Sequence, residues 1–256
     1  MLRLAVTQRI DSEDLLRDDD QAFRLVNAAT ETLNEGELRL FCAPLSLACA
    51  VPPAWLDAQE HIRCRAYRFA DDRRRHLLAH GLKRWAIANV LNVSPRDVQF
   101  IVDRLGKPIL PGDAVHFNLS HSAGWVALAL YRQAAVGIDI EAGHDASRAL
   151  ASWPDITHPD ESIPKNTGSF LTAWTLKEAI SKCSGEGLMM DFRRLCLRRR
   201  CGQSPLYRAT DGERHWHAGH EQLDSNTHLA YASARPWNIV KRRLVLSFDQ
   251  VRECAV

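Results

Sequence analysis

"VALALYRQAAVGIDIEAG", residues 126 to 143, is apolar and strand-like until two carboxylates, Asp139 and Glu141, interrupt it. In an extended chain, residues two apart point to the same side, so the two acids share a face. Asp is disfavoured in strands, and a buried unpaired charge costs roughly several kcal/mol unless something compensates it. What compensates these two decides how the rest of the chain is read. A hard divalent cation such as Mg²⁺ takes oxygen ligands and completes its shell with waters or substrate phosphates, and two carboxylates on one strand face supply part of such a shell. Taken alone, the pair is weak evidence, because strand ends that expose acids are common.

Just upstream, "VHFNLSHSAGWVALALY" reads as two strands around the polar turn "SHSAG". Downstream, residues 143–168 are rich in Pro, Ser and Asp and read as a long loop, a kind of segment that is often functional. "GSFLTAWTLKEAISKCSG" (168–185) then gives an amphipathic helix with Phe170, Trp174 and Ile180 on its apolar positions and Gly185 as its stop. Glu178 and Lys182 are four apart on one helix face, which is ordinarily no more than a stabilising pair. Here the pair sits one turn from the apolar anchor Trp174.

The same plan precedes this segment. "LRLFCAPLSLACAV" (38–51) reads as one strand, or as two around Pro44. Residues 55–91 are helical in two pieces, the second with Leu77, Leu78, Leu82, Trp85, Ala86 and Val90 at helix spacing and Asp71 or Asp72 at its start. A strand at Val98–Val102 and a turn at Gly106 follow. After the second helix, "RRLCLRRR", "RHWHAG", "THLAYASA" and "RRLVLSF" alternate as strands. The expected fold is α+β, with two similar half-domains that each set a small antiparallel sheet against a long helix. The expected division is a polar, acidic extension over 1–36 with a helical pattern from Leu15 to Leu33, an N-terminal half over 37–135, and a C-terminal half over 136–256. No repeat is visible in residue identity.

Composition excludes little and fits an ordinary globular protein. Of 256 residues, 33 are Lys or Arg and 31 Asp or Glu, so overall charge selects no partner and gives no ground for expecting nucleic acid. Charge is uneven locally: "DDRRRHLLAHGLKRW" (71–85) and "FRRLCLRRR" (192–200) are basic, which suits phosphates or an acidic protein but more often marks a solvated face. Seven scattered cysteines with no CxxC pair argue against a disulfide framework or zinc site and fit a reducing compartment. The first residues hold no apolar core long enough for a signal peptide, and the 38–51 run is too short to span a bilayer, so the expected location is the cytoplasm, off the membrane.

Read together, "GKPIL", "FNLSHS", "VGIDIE" and "FLTAWTLKEAISK", in this order and at these intervals, resemble the 4′-phosphopantetheinyl transferases of the larger, pseudo-dimeric type that activates surfactin synthetase. The match falls on Gly137, Asp139, Glu141, Trp174, Lys177, Glu178 and Lys182. It implies two halves related by a pseudo-twofold axis in a monomer. It also implies transfer of the phosphopantetheine arm of coenzyme A to a serine of an apo carrier protein, acidic as carrier domains are, with release of 3′,5′-ADP. Under the resemblance Asp139, Glu141 and Glu178 hold Mg²⁺, or Mn²⁺, against the pyrophosphate. Glu178 serves as base and Lys182 neutralises or protonates the leaving nucleotide. Ser120 and His121 contact the coenzyme A phosphates, Arg75 and His76 the 3′-phosphate, and Lys107 and Pro108 flank the adenine. Arg63 aligns with a further basic residue of the 3′-phosphate pocket, and Glu60 stands where some relatives carry a basic residue.

Two other classes share parts of the pattern. A metal-dependent phosphohydrolase or nuclease also uses D-x-E with a third acid, and an inactive carrier-binding paralogue would keep the shape without the chemistry. The three acids and both lysines favour the transferase. "HWHAGH" (215–220) reads as an edge strand and turn, and Trp85, Trp125 and Trp216 as packing.

Overall fold

The apolar run that opens the N-terminal half becomes strand β2 (Glu37–Pro44); beyond Pro44, Leu45–Ala50 winds into a 3₁₀ helix instead of a second strand. The computed structural model describes residues 24–27, 32–104, 106–143, 153–200 and 206–255. Its first sheet is ordered β1 (Arg24–Asn27), β13 (Gln250–Ala255), β12 (Ile239–Val245), β2, β6 (Trp125–Tyr131), β5 (His116–Ser122). The second is ordered β7 (Val136–Ala142), β11 (Thr227–Ser233), β10 (His215–Asp224), β9 (Leu206–Thr210), β8 (Cys196–Arg199). A short hairpin pairs β3 (Ile101–Val102) with β4 (Pro108–Ile109). The helices are α1 (Ala58–Ala66), α2 (Ala70–Leu91), α3 (Trp153–Ile156) and α4 (Thr167–Ser184).

The repeat that residue identity hides is plain in the topology. In the first half β2 pairs antiparallel with β6, the second strand of the β5–β6 hairpin, and α2 lies between β2 and the hairpin in sequence. In the second half β7 pairs antiparallel with β11 of the β10–β11 hairpin, with α4 in the same place. The layers run helix, sheet, sheet, helix. Helix α2 packs Leu82 and Trp85 against Phe41 and Leu128; the sheets meet through Leu38, Leu40, Ile138, Ile140 and Leu229; α4 covers the far face with Leu176 and Ile180 against Ala230 and Ala232.

Three details differ from the sequence expectation. Strands β12 and β13, at the end of the C-terminal half, join the first sheet, where β12 runs parallel to β2. Each face of β12 carries a buried valine, Val240 packing between the sheets and Val245 on the α2 side, so the strand suits a position covered on both sides. Within the Leu15–Leu33 helical pattern, Arg24–Asn27 is a strand paired with β13; the acidic residues at 11–20 lie outside the described residues, as does 144–152 of the long loop. The strand expected over Val98–Val102 contracts to Ile101–Val102. Among the described residues no helix is long and apolar enough to cross a membrane.

Strand alternation positions the chemistry. Ile138 and Ile140 turn toward the first sheet, which leaves Gly137, Asp139 and Glu141 on the face that α4 crosses.

Candidate active site

Helix α4 begins with a capping box, in which the Asn166 side chain accepts from the Ser169 amide at 2.9 Å and Ser169 Oγ accepts from the Asn166 amide at 3.1 Å. It ends at Gly185, in the left-handed region with φ 83°. Between these stops the helix lies almost on the backbone of β7. A Cβ at Gly137 would stand 1.8 Å from the Ala179 carbonyl oxygen and 2.6 Å from the Cys183 nitrogen, so only glycine permits the approach. That closeness brings Glu178 of the helix to Asp139 and Glu141 of the strand.

The three acids repel one another where little water screens them. Burial, then the charge of Asp139, pushes the Glu141 carboxyl above its ordinary range, against donors from Ser122 and Trp174. Glu178 is likewise raised by burial and by Asp139, with Lys182 opposing. Asp139 is buried; its Oδ1 accepts from Lys182 Nζ at 2.5 Å and from Ser120 Oγ at 2.9 Å, while Oδ2 is buried without a hydrogen-bond partner. Glu141 Oε2 accepts from Ser122 Oγ at 2.9 Å. A partnerless buried carboxylate oxygen among three acids, two of them with raised pKa values, is a donor set that fits a hard divalent cation.

The N-terminal half contributes a basic hollow beside this cluster. Arg75, His76 and His121 line it with Tyr67, Asp72, Ala79, His80 and Leu119. Arg75 Nη2 donates to Asp72 Oδ1 at 2.5 Å, and its side chain is partly exposed. His76 is buried, packs its ring 4.1 Å from that of His80, and is bonded through Nε2 to the Glu60 carbonyl oxygen at 2.9 Å. Burial, with His80 adding to it, pulls His76 down to about 4. Lys107 and Pro108 line a second hollow with Cys183, Ser184 and Gly185 at the end of α4, where Lys107 Nζ donates to the Lys182 carbonyl oxygen at 3.0 Å. Arg63 is exposed on the last turn of α1 and lines neither hollow.

Glu60 has turned into the core, away from any phosphate. Its carboxylate accepts from His80 Nδ1 at 2.8 Å, Lys83 Nζ at 2.8 Å and Arg84 Nε at 2.6 Å, and it closes the N-terminal capping box of α1 with Asp57. Burial alone would raise this acid, but the donors outweigh burial and hold it well below the ordinary carboxylate value. Arg84 reaches Asp57 as well, at 2.6 Å, which ties α1 to α2.

For two sets of residues, sequence reading gives no account of the structural role; of these, it names Lys177 and Ser120 but not Asn118 and Ser122. Lys177, adjacent to Glu178 in the chain, points away from the acids and is fully buried. Its Nζ donates to Glu161 Oε2 at 2.8 Å and to the carbonyl oxygens of Ile156, Phe192 and Leu195 at 2.6, 3.0 and 2.9 Å. The second set is Asn118, Ser120 and Ser122, at alternate positions of β5, whose side chains all reach β7. Their period-two spacing in "FNLSHS" was the available signal. In "HWHAGH", His220 Nε2 lies 2.9 Å from His228 Nδ1, while His215 is exposed. Trp85, Trp125 and Trp216 are buried packing residues.

Comparison with known proteins places both halves of the chain in one family. Residues 135–232 match the family described as the 4′-phosphopantetheinyl transferase superfamily, and residues 45–133 the N-terminal family of 4′-phosphopantetheinyl transferases. A 4′-phosphopantetheinyl transferase of Bacillus subtilis is 28% identical over 193 residues, which cover 72% of this chain and 84% of the relative. The 4′-phosphopantetheinyl transferase Sfp of Bacillus subtilis (strain 168) is 31% identical over 146 residues, 54% of this chain and 63% of its own length. The 4′-phosphopantetheinyl transferase HetI of Nostoc sp. is 32% identical over 147 residues, 53% of this chain and 62% of its own, so with these two the match spans less than two thirds of the relative. The two family matches divide between β6 and β7, where the topological repeat divides, and the chain belongs to the 4′-phosphopantetheinyl transferase superfamily of enzymes, in its larger form with two like halves.

Proposed function

We propose that this protein transfers the 4′-phosphopantetheine arm of coenzyme A to a serine of an apo acyl or peptidyl carrier protein in a Mg²⁺-dependent reaction. The observation that carries this reading is the buried Asp139 Oδ2, which has no hydrogen-bond partner, with Glu141 and Glu178 both near enough to be raised by the charge of Asp139. Asp139, Glu141 and Glu178 would hold Mg²⁺, or Mn²⁺ in its place, and the bound cation would supply charge neutralisation at the coenzyme A pyrophosphate. Glu178 takes the proton of the carrier serine. The serine oxygen forms a bond to the β-phosphorus as the pyrophosphate bridge breaks, and 3′,5′-ADP leaves with the electron pair. Lys182 lies within reach of Asp139 and Ser120 and neutralises the departing phosphate. Ser120 and His121 address the phosphates, Arg75 and His76 the 3′-phosphate, and Lys107 and Pro108 the adenine; Arg63, exposed on α1 outside both hollows, adds positive charge toward the 3′-phosphate at longer range.

One chain supplies both sides of the cleft, so the reading is of a monomer, working in the cytoplasm where coenzyme A and carriers are found. Acidic carriers are steered by basic surface, and the segment between β7 and α4 is the docking face. Incubation with Mg²⁺, coenzyme A and an apo carrier tests the proposal through the carrier's mass. A gain of one phosphopantetheine that is lost in Glu178→Gln is the expected result, and no gain across several carriers would overturn it.

A further inference from the structure

Strands β5 and β7 run side by side where the two sheets meet, yet they belong to different sheets and share no backbone ladder. Side chains replace the ladder. Asn118 Oδ1 accepts from the Ile138 amide at 2.9 Å, Ser120 Oγ from the Ile140 amide at 3.4 Å, and Ser122 Oγ from the Ala142 amide at 3.3 Å. Three acceptors at every second residue of one strand meet three successive inward amides of the other, which fixes the register of the two halves.

The arrangement also aims two protons. A serine hydroxyl carries one proton and two lone pairs. With a lone pair taken by a β7 amide, the proton of Ser120 goes to Asp139 Oδ1 at 2.9 Å and that of Ser122 to Glu141 Oε2 at 2.9 Å. The two carboxylates are not held alike. Asp139 also has the Lys182 ammonium in direct contact at 2.5 Å, whereas the direct donors to Glu141 are the neutral Ser122 and Trp174, with Lys182 acting on it only through its charge. The weight of holding Glu141 therefore falls on hydroxyl and indole.

We propose that Ser122 is a positioning residue for the metal site: its hydroxyl, locked by the Ala142 amide, keeps one Glu141 oxygen occupied and turns the other toward the cation. The proposal rests on the reading of Asp139, Glu141 and Glu178 as ligands of a divalent metal. Ligands fixed by neighbouring hydrogen bonds bind metals more tightly than free ones, by factors of about 10 to 100.

Mn²⁺ titration followed by the electron paramagnetic resonance of the free ion, with coenzyme A present and no carrier, reads this directly. Ser122→Ala is expected to weaken Mn²⁺ binding about tenfold, equivalent to about 1.4 kcal/mol. Ser122→Thr, which keeps the hydroxyl, should stay within about twofold of the unsubstituted protein. Asn118→Ala removes a tooth of the same comb that touches no carboxylate, and should lower the melting temperature with Mn²⁺ affinity within about twofold. Unchanged binding in Ser122→Ala, weakening in Ser122→Thr or Asn118→Ala as large as in Ser122→Ala, or no Mn²⁺ bound by the unsubstituted protein would each overturn the proposal. If the Mn²⁺ ranking holds while no carrier gains mass, the transferase reading fails and this one stands.

Discussion

Lys182 Nζ lies 2.5 Å from Asp139 Oδ1, reaching from α4 across to β7 instead of pairing with Glu178 one turn earlier in its own helix. Helix spacing made the Glu178–Lys182 pair look intrahelical. The close approach at Gly137 gives the ammonium a more buried partner, and Ser120 Oγ, 3.1 Å from the same Nζ, completes the contact. Lys182 thus partly neutralises the acid cluster from the side, while Asp139 Oδ2 stays without a donor.

Removing this lysine should separate metal binding from turnover. Lys182→Ala takes a positive charge away from the acids, so Mn²⁺ affinity is expected to hold or increase. Transfer to a carrier should fall by about 10²- to 10⁴-fold if the ammonium works on the leaving phosphate. Metal titration and single-turnover rates measured on one preparation check both. A parallel loss of metal affinity and rate would make Lys182 only a brace for Asp139.

Lys177 is expected to behave in the opposite way. Its side chain is fully buried, and burial lowers its pKa although Glu161 opposes the shift. Lys177→Met keeps the length but leaves the buried Glu161 charge with only the amides of His158 and Leu197, and takes a donor from three carbonyl oxygens. Breaking a buried pair in this way costs roughly 3–5 kcal/mol. Urea denaturation should show that loss for Lys177→Met and a smaller one for Lys182→Met, whose side chain is 27% exposed and whose partner Asp139 keeps the Ser120 hydroxyl. A Lys177→Met protein of full stability and no activity would place Lys177 in the chemistry.

The histidine pair beside Arg75 predicts acid sensitivity. His76 falls from its ordinary 6.5 to about 4 in the fold, so the unfolded chain binds more protons between these values. The sign follows: the stability tied to neutral His76 is complete above pH 6.5, decreases as pH drops through 6.5, and is exhausted near 4. The size is on the order of 3 kcal/mol. Melting temperatures from pH 7.5 to 4.5 should show a decline that His76→Gln flattens, and an equally steep profile in the variant would assign the sensitivity to other groups.

The parts of the site readable in sequence are those in which a local period meets an unusual residue. Asp139 and Glu141 show because period two puts acids on one face of an apolar strand, and Glu178 because it sits one turn from Trp174. Glu60 and Lys177 were opaque for a shared reason: each is a charge turned into the core. Glu60 is held by side chains 20 to 24 residues away, and Lys177 by backbone carbonyls of Ile156, Phe192 and Leu195, which leave no trace in composition. The return of β12 to β2 was hidden similarly, since alternation shows that a strand forms but not which sheet covers its two faces.

The close approach at Gly137 yields the most demanding test of how the site is assembled. A methyl group there would overlap the Ala179 carbonyl oxygen and the Cys183 nitrogen, both backbone atoms inside a helix that cannot rotate away. The only relief is to lift α4 off β7, and Glu178 rides on that helix. Gly137→Ala should therefore lower the melting temperature by roughly 5 °C or more through overpacking. In the protein that remains folded, it should also weaken Mn²⁺ binding by widening the gap between Glu178 and Asp139. Gly124→Ala is the matched control, because a Cβ there meets nothing within 4 Å and should change neither quantity. If Gly137→Ala lost stability but bound Mn²⁺ as well as the unsubstituted protein, the spacing of helix and strand would not set the metal site, and the assignment of Glu178 as a ligand would fall with it.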